Sequence, residues 1–235
     1  MATMELEKIT NKEEAASRRR YDDACGTAHA LELVGERWAL VVIRELMLGP
    51  KRFNDLRSDL PGISANVLTQ RLESLEAAGV VVKRRLPPPA SVQVYELTEW
   101  GYEAEPIFQT LGRWAARSPG HDPSLPLSAV SLMLSFRTMF DAGRAGKMEA
   151  TAGFQLGAES YLVRIAGGEL HAARGEADDA DVTFTGGPTV VAGAVYGGVP
   201  LEALEGQGAL SVTGDRPLAK RFVTLFPLPP KVQMR

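Results

Sequence analysis

Cys25 is the only cysteine among 235 residues, and the chain has only three histidines. A single thiol closes no intrachain disulfide, which fits a reducing compartment. His29, His121 and His171 lie far apart, so no Cys/His spacing supports zinc. No run of about 18 apolar residues occurs, so no membrane insertion is expected. Met1 to Arg20 are polar and charged and lack the apolar segment of a secretory signal. A cytoplasmic protein without metal or cofactor is expected. Catalytic signatures are missing too. His171 has no cysteine or serine elbow near it, and Gly186-Gly187-Pro188 is not followed by the Gly-Lys-Ser/Thr of a phosphate loop. No enzyme is expected.

Excess positive charge is also lacking, since the net charge is −3. Its distribution is uneven, however. Between Lys51 and Arg85 stand seven basic residues (Lys51, Arg52, Arg57, Arg71, Lys83, Arg84 and Arg85) against four acidic ones (Asp55, Asp59, Glu73 and Glu76). Local fields govern phosphate contact, so this segment can meet a polyanion despite the acidic whole.

The same segment has a definite pattern. Phe53, Leu56 and Leu60 fall at helical spacing before Pro61-Gly62 breaks the chain. Ser64 is a good N-cap for a second helix, which carries Leu68, Leu72 and Leu75 on one face and ends at Gly79. Val80 to Arg85 and Val92 to Leu97 then flank a proline-rich tip, as a hairpin would. Helix, turn, helix and basic hairpin form the layout of a winged-helix DNA reader.

On a helical wheel, Asn66, Gln70 and Glu73 lie opposite the leucines, flanked by Val67 and Thr69. Amides can pair with adenine edges, a threonine can donate or accept, and a valine can meet a thymine methyl. Recognition helices present such groups from their N-terminal half. Arg71 lies to one side, better placed for a phosphate, and Lys83 to Arg85 would lie on the backbone or in the minor groove. Taken singly, each of these residues reads as solvated surface; the combination points to DNA.

Helices are also expected over Ala24 to Val34, Arg37 to Leu48 and Glu99 to Arg117. Pro106 should kink or interrupt the last of these. Beyond it Ile107, Leu111 and Trp114 stand at i, i+4, i+7. Ser118 to Pro123 reads as a linker. After it come an apolar helix (Leu127 to Phe140), four strand-like runs, a helix from Pro188 to Tyr196, a fifth strand and a closing helix from Arg216 to Leu225. The expected class is α+β. An arm over residues 1–22 leads into a winged helix-turn-helix domain over 23–118, and a linker over 119–126 into an α+β domain over 127–235. The latter should hold a mainly antiparallel five-stranded sheet covered by helices.

Cys25 with the run Ala30 to Val81 and the stretch Tyr95 to Gly101 resembles the HxlR-type winged-helix regulators of bacteria, across residues 21 to 118. Its motifs are Gly35 to Trp38, Gly49-Pro50 with Arg52-Phe53, Pro61 to Ser64, Leu68 to Leu72, and Tyr95 with Leu97-Thr98. The resemblance implies a homodimer on a near-palindromic double-stranded operator, and the expected role is that of a repressor. It also implies that the helices around 24–34 and 99–117 build the dimer, with Ile107, Leu111 and Trp114 in its interface. Cys25 matches the position at which some members sense oxidants or electrophiles; against this, Asp22 and Asp23 should raise its thiol pKa.

Residues 127–225 resemble, more loosely, the sterol-carrier-protein fold. The likeness rests on Asp181 to Phe184, the helix after them, and the run from Leu204 to Phe226. It implies an apolar tunnel for a small apolar ligand, with Leu132, Phe136, Met139, Phe140, Val195 and Phe222 as lining. The same residues read equally as plain core. Two functions therefore stand open: a DNA-binding regulator with an apolar effector, or a lipid carrier whose winged helix serves only association.

Overall fold

The computed structural model describes residues 21–233, so the expected arm over 1–22 falls almost wholly outside the described residues. The chain divides into two compact units. The first comprises the described residues through Ile43 together with Arg52–Gly101; the second comprises Arg44–Lys51 and the residues from Tyr102 onward.

In the first unit, α1 (Gly26–Val34) and the start of α2 (Ala39–Leu46) precede the pair α3 (Phe53–Asp59) and α4 (Ala65–Ala77). The apolar spacing read from the sequence is what these helices bury. Leu56, Leu60, Leu68, Leu72 and Leu75 are all fully covered, each leucine contributing about 1.5–3 kcal/mol. β1 (Val81–Arg85) and β2 (Gln93–Leu97) pair antiparallel, and β1 packs on α4. The proline-rich tip turns back on itself, with Ser91 N–H donating to the Pro87 carbonyl at 3.3 Å. Thr98 pins the hairpin's exit: its hydroxyl donates to the Gly79 carbonyl at 2.8 Å and accepts from Gly101 N–H at 3.1 Å.

The helix expected over Glu99 to Arg117 is two helices, α5 (Glu99–Tyr102) and α6 (Glu105–Ala116). Pro106 sits in the first turn of α6 rather than kinking a longer helix. At that position its missing N–H removes no helical hydrogen bond.

In the second unit, α6 packs on α7 (Ala129–Met139), which Ser128 caps by accepting from Ser131 N–H at 3.0 Å. After α8 (Ala142–Ala145) come β3 (Ala150–Leu156), β4 (Glu159–Ala166), β5 (Glu169–Arg174) and β6 (Val182–Gly186). α9 (Pro188–Val195), α10 (Leu201–Gly206), β7 (Leu210–Gly214) and α11 (Arg216–Phe222) complete it. Gly167 and Gly168 form the two-residue turn between β4 and β5, both at positive φ, as the twist of a tight hairpin requires.

The five-stranded sheet runs β5-β4-β3-β6-β7. It is mixed, which corrects the expectation of a mainly antiparallel sheet: its inner pair, β3 and β6, is parallel. A parallel pair needs a crossover. Here the chain leaves β5 and crosses β3 at Gly153, where a Cβ would stand 2.4 Å from that of Ala177. Glycine is therefore required at this position.

One face of the sheet holds an aromatic core. Phe136 stacks on Phe226 with centroids 4.5 Å apart, and Phe154 on Phe184 at 5.1 Å. Phe222 lies against four of these rings within 5.8 Å. Beside the sheet, a buried ion network holds the Arg44–Lys51 segment. The Glu45 carboxylate accepts from Arg44 at 2.7 Å and from the Ser128 hydroxyl at 2.7 Å, and Lys51 Nζ lies 3.6 Å from its second oxygen. Lys51 also lies 3.3 Å from Glu159. Burial pushes the Glu159 carboxyl up, but Lys51 and Arg174 outweigh it and hold the group below its ordinary value.

Candidate nucleic-acid interface

The turn between α3 and α4 fixes the site. Gly62 adopts φ +88°, a conformation only glycine takes without strain. Ile63 is buried behind it, so the chain enters α4 at a set angle. The Ser64 hydroxyl then accepts from Val67 N–H at 3.3 Å, satisfying one of the helix's orphan donors.

With the leucines turned inward, Asn66, Thr69, Gln70 and Glu73 are exposed, and Val67 is half-covered beside them. Arg52, preceding α3, is exposed as well. The base-reading face drawn from the wheel is thus a continuous polar surface on the N-terminal half of α4.

Arg71 is placed differently. Its side chain is only 11% exposed and lies 3.6 Å from Glu36. Glu36 is thirty-five residues away in sequence, so helical spacing gives no sign of this pairing.

The wing cations stand together along β1, and each has a partner. Lys83 Nζ is 3.2 Å from Glu76 and lies over the Tyr95 ring at 5.7 Å. Its hydrogen bond to Glu76 raises its pKa. Arg84 pairs with Glu96 at 2.9 Å, and Arg85 donates to the Ser91 carbonyl at 3.2 Å. Glu96 faces Val82 in the strand register, so it is Arg84's diagonal neighbour; that pairing could be read from the hairpin alone. The three cations with Ser91 and Gln93 border an open cleft of about 440 Å³.

Cys25 is exposed and is the N-cap residue of α1. Hydrogen-bonding groups of the Thr27 and Ala28 backbone, with the Thr27 side chain, lower its pKa. The lowering runs against the rise expected from Asp22 and Asp23.

On α6, Ile107, Leu111 and Trp114 form an exposed apolar stripe, with Trp114 74% exposed. The six residues expected to line a tunnel do not share a cavity. Leu132, Phe136 and Phe222 are buried, the two phenylalanines within the ring core, where stacked and edge-on contacts leave no room for a ligand between them. Met139, Val195 and Phe140 border three different clefts. Among the described residues no group of three or more His, Cys, Asp or Glu could hold a metal ion, and no helix is long and apolar enough to cross a membrane.

Residues 33–122 match the family model of HxlR-like helix-turn-helix proteins. The chain is 38% identical over 86 residues to the HTH-type transcriptional regulator YodB of Bacillus subtilis, covering 37% of this chain and 77% of that protein. It is 36% identical over 87 residues to the uncharacterized HTH-type transcriptional regulator YvaP of the same organism, covering 37% of this chain and 80% of YvaP. Against the solved reduced form of YodB from B. subtilis the identity is 34% and the TM-score 0.38, over 43% of this chain and 100% of that one. With most of YodB and YvaP matched at more than a third identity, this chain belongs to the family of HxlR-like helix-turn-helix proteins.

Proposed function

We propose that the chain is a sequence-specific DNA-binding transcriptional regulator, a repressor that acts as a homodimer on a near-palindromic operator. The observation that carries this reading is the exposed face of α4. It holds Asn66, Thr69 and Gln70 in its first two turns, after a capped and sharply turned entry, with Lys83, Arg84 and Arg85 ranged on the neighbouring strand. These residues divide the work. The short polar groups of α4 read base edges and the strand cations hold the backbone.

The pairing of the wing cations does not oppose this role. Exposed ion pairs contribute about 0–1 kcal/mol, less than a phosphate contact supplies at low salt, so Arg84 exchanges Glu96 for a phosphate at little cost. Arg71, turned to Glu36, supports the helix from behind rather than reaching the backbone.

The exposed stripe of Ile107, Leu111 and Trp114 supports the dimer. A twofold interface repeats one patch on both copies, and two recognition helices then read two half-sites. The second unit supplies control by a small apolar ligand, which requires different affinities for the DNA-competent and incompetent states.

Selection of random duplexes by the full chain tests the reading. The expected product is an inverted repeat whose affinity falls steeply with salt. A chain that enriches no sequence, or enriches a single half-site only, contradicts it.

A further inference from the structure

A cleft in the second unit answers to a ligand, and it is not the interior tunnel. It measures about 440 Å³ and lies against α6, α7 and α9, closed on one side by residues 121–127. Its walls are largely apolar, including Phe108, Leu134, Met139 and Leu228. Its size suits a small molecule. Four hydroxyl residues also border it: Ser131, Ser135, Thr138 and Tyr196.

The protons of those hydroxyls are already committed. Ser135 donates to the Leu132 carbonyl at 2.7 Å, so the 2.6 Å bond between Ser135 and Tyr196 must take its proton from the tyrosine. Thr138 donates to the Leu134 carbonyl at 2.7 Å. Ser128 gives its proton to Glu45, and Ser131 turns its own proton toward the same carboxylate oxygen at 3.4 Å. Burial raises the Tyr196 pKa, so its phenol stays neutral. Each hydroxyl has one proton to give; with all four spent, what they offer a guest is oxygen lone pairs. At the rim, Arg44 already directs Nε and Nη2 to Glu45. Arg44 keeps N–H groups beyond those two, and His121 also borders the cleft; beside Tyr196, where the hydroxyls offer only lone pairs, a carboxylate would lose water without gaining a donor from them.

We infer that this cleft binds a small, uncharged, largely apolar molecule carrying a hydroxyl donor, of the phenol or alcohol class, with the donor directed at the Tyr196 oxygen. The site deepens the ligand control proposed above and rests on that reading for its regulatory consequence, but not for its existence.

Gly112 of α6 gives a clean way to close the cleft. It borders the cavity, and a Cβ built there meets nothing within 4 Å. Replacing a helical glycine also favours the helix. The test titrates 2-naphthol and its methyl ether, 2-methoxynaphthalene, into the full chain by calorimetry without DNA. The wild type is expected to bind 2-naphthol at least about tenfold tighter than the ether, the difference that one buried donor–acceptor pair makes. Gly112→Leu should lose both ligands while keeping the wild-type circular dichroism and a thermal midpoint no lower. Tyr196→Phe should bind 2-naphthol only as well as the ether. Undiminished binding in Gly112→Leu, or no binding by the wild type up to the solubility of 2-naphthol, overturns the site. Equal affinity of the wild type for the two probes overturns the donor assignment. Because DNA takes no part, a chain that binds no operator can still pass this test, and a chain that fails it can still bind DNA.

Discussion

Replacing Trp114 by alanine should dissociate the dimer, and the structure sets the scale. A tryptophan side chain offers roughly 150–250 Å². At 74% exposure, roughly 110–185 Å² of Trp114 is open to a partner. Full coverage at ~25 cal/mol per Å² is about 3–5 kcal/mol for each copy. A twofold interface buries two copies, so the gross figure is about 6–10 kcal/mol. Ordering and association offset much of this; if about a third survives, the substitution weakens the dimer by about 2–3 kcal/mol. That is roughly a 30- to 150-fold rise in the dissociation constant. Sedimentation equilibrium measures it directly. Since Trp114 is solvent-exposed in the single chain, the thermal midpoint measured at monomeric concentrations should not fall. Leu111→Ala, on the same stripe, should act in the same direction by a smaller amount. An unchanged dissociation constant in both variants would refute the interface.

Three further outcomes follow from local chemistry. Ser64→Ala removes the cap of α4 and should lower the stability of the first unit by about 0.5–1 kcal/mol in urea denaturation; the 3.3 Å length of the cap bond places it toward the weak end. Glu159 has a depressed folded pKa, so its stabilisation is present above the ordinary carboxylate value of 4.5 and is lost as pH falls through the folded value. Glu159→Gln should therefore flatten the acid limb of the thermal midpoint measured against pH; an acid limb as steep as the wild type's contradicts the Lys51–Glu159–Arg174 arrangement. Cys25, with a lowered pKa, holds more thiolate at neutral pH than an ordinary thiol. Its alkylation by iodoacetamide at pH 7 should outpace that of a free cysteine peptide.

The winged helix was legible because its signals are local. Proline-glycine at 61–62, serine at 64 and leucines at 68, 72 and 75 each act within one or two turns, and the structure places them as their spacing requires. Tertiary pairings were not legible. Arg71 looks like a phosphate ligand until Glu36 is brought beside it. Pro106 fits a kink or a helix start equally, and only the break at residues 103–104 decides. The parallel pairing of β3 with β6 depends on a crossover that strand patterning does not reveal; Gly153, under Ala177, was its one trace. The apolar stripe of α7 was ambiguous for the same reason. Leu132, Phe136 and Met139 recur at helical spacing whether they line a cavity or fill a core; the rings facing Phe136 put that side chain in the core, while Met139 borders the cleft beside α7. The cleft's hydroxyls were hidden by chain distance, since Ser135 and Tyr196 are sixty-one residues apart.

The most direct test of the account is the salt dependence of operator affinity in three chains: wild type, Gln70→Ala and Arg84→Ala. Gln70→Ala should lose about 1–3 kcal/mol of discrimination at one base pair in each half-site, with an unchanged salt slope. Arg84→Ala should weaken all sequences alike and make the slope of log affinity against log salt shallower by about 2, one phosphate for each half of the dimer. Affinities and slopes identical in all three chains would contradict the assignment of α4 to the bases and of the wing to the backbone.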